Sequence, residues 1–382
     1  MVSVDGAALS NARARAMLSR FPLIDGHNDL PWEIRTEASS DLDLAAIDQR
    51  LPRFHTDIPR LVEGGVGGQW WSVYVPGKLA PDEAVRVTLE QVDIVHRMIE
   101  RYPSRFKLAL TADDVTSAFD GGRIASLLGA EGGHSIGGSL GVLRSLHALG
   151  VRYMTLTHNQ NVGWADAATD VPDVGGLSAF GREVVREMQR LGMLVDLSHV
   201  AVSTMKDALD TARAPVIFSH SSARAITDSP RNVPDDVLRG LARNDGVCMV
   251  TFVPAFVSQD CADWLVGLKQ AAESRGLDSN DLAAVFSLAT EYSAEHPPPA
   301  ATLEEVVAHV EHVAEVAGIA HVGIGGDFDG TPDLPAGLED VSRYPALFGE
   351  LARRGWTEED LKALAGGNIL RVMRAAESHA VT

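Results

Sequence analysis

The chain has 382 residues, 45% apolar and 22% charged, the proportions of an ordinary folded protein, and no apolar run reaches bilayer-spanning length. Its 33 basic and 52 acidic residues leave a net charge of −19 spread along the chain, which repels phosphate backbones and anionic lipid and argues against nucleic acid or membrane partners. Two cysteines, Cys248 and Cys261, the second in a polar stretch that reads as loop, supply neither a disulfide framework nor a thiolate metal site. Met1 to Arg20 has no secretory signal, so the expected compartment is the cytoplasm.

In chain order, the apolar run Phe21 to Ile24 predicts a buried strand leading into His27 and Asp29, two positions apart on one face. Asp57 to Glu63 predicts a short helix closed by Gly64-Gly65, and Gly68 to Val75 a second buried strand rich in aromatic and β-branched residues. Pro81-Asp82-Glu83 opens a long helix whose expected apolar stripe is Val85, Leu89, Val92, Val95 and Ile99; Tyr102-Pro103 closes it. Phe106 to Leu110 reads equally as a minor strand or a loop.

Ala125 to Ala130 predicts a strand ending at Glu131, followed by Gly132-Gly133-His134 and a helix over Leu140 to Ala148. Val151 to Thr157 is a strand ending at His158, and a helix from Leu177 to Leu191 leads to the strand Met193 to Leu197, which ends at Ser198-His199. A helix over Val202 to Thr211 precedes the strand Pro215 to Phe218, ending at Ser219-His220; the helix Pro234 to Arg243 precedes the strand Gly246 to Val253. The period then breaks from Pro254 to Ala301, and an insertion of that length after a strand is expected to be a lid or substrate loop, at about residues 255–300. A helix over Leu303 to Ala317 leads to the last strand, Val322 to Gly326, ending at Asp327-Phe328-Asp329-Gly330. Helices Tyr344 to Arg353 and Glu358 to Ala376 close the chain, at about residues 344–376.

Eight apolar strands alternating with helices, without a glycine-rich dinucleotide loop, predict one α/β domain over residues 1–382, a closed (β/α)8 barrel enlarged beyond the ~250 residues typical of that fold. In such a barrel every strand's C-terminal end faces one mouth. His27, Asp29, Glu131, His158, His199, His220 and Asp327 all stand at strand ends, whereas chance would scatter the thirteen histidines over helices and loops. Taken alone, each reads as a structural histidine or a capped carboxylate; their joint placement points to a metal centre. Three imidazoles and two carboxylates exceed one tetrahedral site, so the economical reading is two ions with a carboxylate between them. His309 and His312, at i and i+3 in a helix with an ordinary apolar stripe, read as structural, and His134 as a loop hydrogen bond or a support behind the ligands.

The segments Ile24-Asp25-Gly26-His27-Asn28-Asp29-Leu30-Pro31-Trp32, Glu131-Gly132-Gly133-His134-Ser135, Leu156-Thr157-His158, Asp196-Leu197-Ser198-His199-Val200, Phe218-Ser219-His220-Ser221-Ser222, Arg231-Asn232-Val233-Pro234-Asp235-Asp236 and Gly325-Gly326-Asp327-Phe328-Asp329-Gly330 resemble those of the membrane (renal) dipeptidase family of zinc peptidases, in order, from about residue 21 to about residue 375. The resemblance implies an amidohydrolase-type barrel holding two Zn²⁺ and hydrolysing dipeptides, with a D-residue tolerated at the C-terminal position. It makes His27 and Asp29 ligands of one zinc, His199 and His220 ligands of the other, and Glu131 the carboxylate that bridges them. It also makes Asp327 the proton-handling carboxylate, His158 a contact to the substrate carbonyl, and Arg231 the anchor for the free carboxylate. On the residues alone, Arg231 could instead form a surface ion pair with Asp235 or Asp236.

The chain departs from the animal members in lacking a secretory signal, a lipid-anchor tail and their disulfide cysteines, and in carrying the long insertion after Phe252-Val253-Pro254-Ala255-Phe256. An amidohydrolase acting on another carboxylate-bearing amide, such as an N-acyl amino acid or a β-lactam, is the alternative expectation. A homodimer is left open by the sequence.

Overall fold

The structure, a computed structural model, describes residues 4–279 and 282–381. Its strands are β1 (Leu23–Asn28), β2 (Val66–Tyr74), β3 (Phe106–Leu108), β4 (Ile124–Glu131), β5 (Val151–Thr155), β6 (Leu194–Asp196), β7 (Ile217–Phe218), β8 (Val247–Val250) and β9 (Val322–Ile324). All pair in parallel in the order β2-β1-β9-β8-β7-β6-β5-β4, and β4 pairs back onto β2, closing an eight-stranded (β/α)8 barrel. The ambiguous stretch at Phe106 resolves as β3, outside that count. It lies beside the first residues of β4, with Phe106 opposite Ile124, until β5 takes over the same edge at Leu128 opposite Val151.

Local punctuation explains why several helices fall where expected. Ser139 caps Leu140–Ala148 by accepting from the Val142 amide, and Thr302 with Glu305 forms a capping box before Leu303–Ala317. Helices at Val4–Leu18, Leu30–Glu37 and Ala112–Asp120 were not expected. The second starts directly after β1 with Asp29 at its N-cap, so the histidine and carboxylate of the His-x-Asp pair belong to a strand and to the helix start that follows it.

The long helix Pro81–Arg101 is rotated relative to its expected stripe. Leu89 is 41% exposed, whereas Ala84, Val87, Thr88, Gln91, Val92, Val95 and Met98 are buried. Thr88 can face inward because its hydroxyl donates to the Ala84 carbonyl within the helix, so a polar residue occupies a place that periodicity reserves for an apolar one.

The single C-terminal helix expected over Glu358 to Ala376 is interrupted. Glu358–Lys362 and Asn368–Ser378 flank a π-turn at Ala363–Gly367, where a Cβ on Gly366 would lie 2.6 Å from the Pro22 carbonyl oxygen. The extra backbone residue lets the helix approach the start of β1.

The stretch after β8 is built of the helices Pro254–Val257, Gln259–Ser274, Leu282–Phe286 and Ala289–Glu295. Leu268, Ala272 and Val285, with Trp264, Leu277 and Tyr292 against them, give it a small apolar cluster of its own. Cys261, expected in a polar loop, is instead buried on the second of these helices, because Gln259–Ser274 turns that side toward the barrel.

Candidate metal centre and substrate mouth

The barrel brings the expected residues to one place. His27 lies within β1, Asp29 follows it, Glu131 ends β4, and His158, His199, His220 and Asp327 lie just beyond β5, β6, β7 and β9. His199 (φ 67°) and Asp327 (φ 61°) occupy the left-handed region, which non-glycine residues avoid and which surrounding structure must enforce.

The two oxygens of Glu131 divide the cluster. Oε2 lies 3.4 Å from His27 Nε2, which is itself 3.2 Å from Asp29 Oδ2 and 3.9 Å from Asp327 Oδ1. Oε1 lies 3.0 Å from His199 Nε2, 3.6 Å from His220 Nε2 and 3.8 Å from His158 Nε2. Three overlapping sets of donor atoms are spaced for metal ligation: His27 with Asp29 and Asp327, His27 with Glu131 and His220, and Glu131 with His158 and His199.

Partners behind these side chains fix which nitrogen of each ring faces the cluster. The Ser219 hydroxyl donates to Asp196 Oδ2 at 2.6 Å, so at 2.8 Å it must accept from His220 Nδ1. Asn159 Oδ1 accepts from His199 Nδ1 at 3.1 Å. Tyr153 donates to the Gly26 carbonyl and takes the Nδ1 proton of His27 at 2.8 Å. The Nε2 atoms of His199 and His220 are therefore lone-pair atoms of neutral rings facing the cluster. Burial, with the Arg231 charge and neighbouring imidazoles adding to it, holds His199 and His220 well below the ordinary imidazole pKa, in the ligand form. At His27 burial also opposes the charge, but the fields of Tyr153, Glu131 and Asp29 prevail and raise the pKa well above its usual value. A site that draws a proton onto one ring while aiming lone pairs and carboxylates inward is suited to a divalent cation, and this donor set fits one.

The support residues Tyr153, Asp196, Ser219, Asn159 and Ser72, whose hydroxyl donates to Glu131 Oε2 at 2.9 Å, went unrecognised in the sequence. Asp196 and Ser219 stand within the quoted motifs, which is the signal that could have found them. Tyr153 carries no such signal; its ring crosses Gly129, where a Cβ would lie 2.0 Å from the tyrosine Cζ, and only that close approach lets the phenol reach His27.

Arg231 is 3% exposed, so the surface ion pair is not formed. Asp235 instead pairs with His312 and Arg239, and Asp236 with Lys206. The guanidinium stacks 5.0 Å over Phe256 and reaches the His220 carbonyl through Nη2 at 3.5 Å, while Nε and Nη1 have no hydrogen-bond partner among the described residues. Burial lowers its pKa to about 10, and it remains a cation near neutral pH. His158 lies between Tyr74 and His199, ring centroids 4.9 and 4.4 Å away; burial takes it down to about 4, so it is neutral.

The residues read as structural stand apart. His309 is buried between the Ala223 amide and the Val257 carbonyl, and His134 Nε2 hydrogen-bonds the Val75 carbonyl. Asp329, two residues beyond Asp327, is turned toward the His55 amide at 2.6 Å.

A family model described as membrane dipeptidase (peptidase family M19) matches residues 11–382. Among solved structures, a probable dipeptidase, PvdM from Pseudomonas aeruginosa, is 24% identical with a TM-score of 0.85, covering 98% of this chain and 100% of its own. A metallopeptidase named dipeptidase AC, of the same family, is 26% identical with a TM-score of 0.77 over 93% of this chain and 98% of its own. A metallopeptidase from Rhodobacter sphaeroides, bound to a phosphinate mimic of the dipeptide L-Ala-D-Ala, is 25% identical with a TM-score of 0.76 over 93% of this chain and 99% of its own.

Proposed function

This chain belongs to the membrane dipeptidase family, peptidase family M19, and on that premise we propose that it is a binuclear zinc dipeptidase acting on small dipeptides with a free C-terminal carboxylate. It is a metal-dependent peptide hydrolase. Among the described residues no helix is long and apolar enough to cross a membrane. The observation that carries the proposal is the division of Glu131 between two groups of donors, with a buried, incompletely paired Arg231 beside them.

His27, Asp29 and Glu131 would hold one zinc, and Glu131, His199 and His220 the other. Bound zinc supplies Lewis acidity, lowering the pKa of water from 15.7 to about 7 and polarising the scissile carbonyl. Arg231 takes the substrate carboxylate through the donors it leaves unpaired, Nε or Nη1, in a charge-assisted hydrogen bond. That guanidinium also touches the backbone carbonyl of His220, a residue of the cluster, which supports a substrate with one residue beyond the cleaved bond. His158 lies against the position of the developing oxyanion. Asp327 accepts the proton released as water's oxygen bonds to the carbonyl carbon, and delivers it to the amine as the C–N bond breaks. Tolerance of a D-residue at the C-terminal position is part of the proposal; the dipeptide mimic bound by the Rhodobacter sphaeroides relative supports it.

Metal analysis combined with a panel of Ala-Ala, Ala-D-Ala, Ala-Ala amide, Ala-Ala-Ala and N-acetyl-alanine tests this reading. About two zinc ions per chain and hydrolysis confined to the free dipeptides are expected. Activity that survives chelation, or equal cleavage of the amide and the tripeptide, would overturn it.

A further inference from the structure

Arg231 also lines a cavity of about 150 Å³, whose lining includes Phe256, Leu265, Asn159, Asp228 and Lys269. Phe256, Leu265 and Lys269 come from the stretch after β8, so that stretch helps to shape this cavity. Lys269 lies on the helix Gln259–Ser274, half-buried. Its ammonium takes part in no ion pair or hydrogen bond among the described residues; Glu273, one turn further along the helix, acts on it only through its field. Desolvation holds its pKa below the usual ammonium value. The cavity's carboxylate, Asp228, is already engaged by Arg224 at 2.9 Å.

One small cavity is thus lined by two cations without a carboxylate partner among the described residues. Arg231 accounts for one carboxylate of a dipeptide, and a second cation in the same cavity has no function toward a substrate with an uncharged C-terminal side chain. On a chain of net charge −19, whose general field repels anions, unpaired cations are costly to hold in a half-buried place unless a ligand pairs them.

From this juxtaposition of Lys269 with Arg231 in one cavity we infer that the enzyme selects dipeptides whose C-terminal residue is acidic, Lys269 receiving the side-chain carboxylate while Arg231 holds the main-chain one. The inference rests on the dipeptidase reading and adds a substrate class to it. Phe256 and Leu265 pack the methylenes between the two carboxylates, and Lys269 acts as a specificity residue without touching the reacting bond.

The test measures kcat/KM for Ala-Glu, Ala-Gln and Ala-Ala, each with the C-terminal residue in both L and D form, on the zinc-loaded protein and on Lys269→Met and Lys269→Glu. The unchanged protein should favour glutamate over the isosteric glutamine by about ten-fold or more, the size of one charge-assisted hydrogen bond in a half-buried site. Lys269→Met should bring that ratio close to one, and Lys269→Glu should invert it and favour Ala-Lys over Ala-Glu. Free glutamate should inhibit the unchanged protein more strongly than free glutamine, and Lys269→Met should lose that difference. If the dipeptides are cleaved with a glutamate-to-glutamine ratio near one, or with a ratio that Lys269→Met leaves in place, the acidic selection is wrong and the dipeptidase reading stands. If none of the dipeptides is cleaved, both fall together.

Discussion

The Nε2 atoms of His199 and His220 lie 2.9 Å apart, each on a ring whose Nδ1 proton is already given to another residue. Two lone pairs held at that distance repel unless a cation lies between or beside them. Chelation should therefore abolish hydrolysis and lower the melting temperature, because folding then has to hold the repelling rings together without the ion's binding energy. His220→Ala should retain about one ion per chain, losing the ion that Glu131, His199 and His220 would share. Calorimetry with metal analysis checks both, and two retained ions would show that His220 is not a ligand.

Tyr153→Phe deletes one oxygen, the one that orients His27 through Nδ1 at 2.8 Å. Loss of such a support weakens metal affinity by roughly 10–100-fold. Competition against a chromogenic chelator should show one of two ions weakened and the other kept. Equal weakening of both, or of neither, would leave the phenol a packing group only.

Asp327→Asn preserves volume and some coordinating ability but removes the proton acceptor. A fall in kcat on the order of 10²-fold or more is expected with metal content near that of the unchanged protein. Asp329 is not expected to substitute, because Oδ1 of its carboxylate is turned to the His55 amide at 2.6 Å. Near-normal turnover would remove Asp327 from the proton path.

Arg231→Met keeps the apolar stem while deleting the charge and its stack over Phe256. Leaving a carboxylate unpaired in a buried place costs roughly 3–5 kcal/mol, or about two to four decades in kcat/KM for a free dipeptide. The loss should be much smaller for the dipeptide amide, already a poor substrate. Equal losses on both would assign Arg231 a structural role.

His309 offers a pH test away from the metal cluster. Burial holds its pKa at about 4 against 6.5 in the ordinary range, because the ring accepts from the Ala223 amide and a second proton would face that N–H. The unfolded chain takes up the proton first as pH falls, so the stability His309 contributes is complete above about pH 6.5 and is lost by about pH 4. The stability of the unchanged protein relative to His309→Gln should decline by up to about 3 kcal/mol across that window in urea denaturation. A difference that stays flat from pH 7 to 4 would show that the ring takes up its proton as readily in the folded state as in the unfolded one.

What the sequence determined by itself was local in origin. Apolar runs stop abruptly at Glu131, His199 and His220, and a barrel's topology turns such stops into a shared mouth without any knowledge of contacts. Leu303–Ala317 was legible because its capping box acts within a turn of the chain. The tertiary structure alone decided which partner stands behind each ring. Tyr153 meets His27 across 126 positions of sequence, and nothing in the periodicity of either strand records the other. It also decided that Leu89 faces water while Thr88 is buried, and that Cys261 packs inward, since an amphipathic pattern gives a helix an apolar side but its neighbours set the rotation. The charge of Lys269 is written in the sequence, but its place beside Arg231 comes from the fold of the insertion, which brings residues of two distant segments to one cavity.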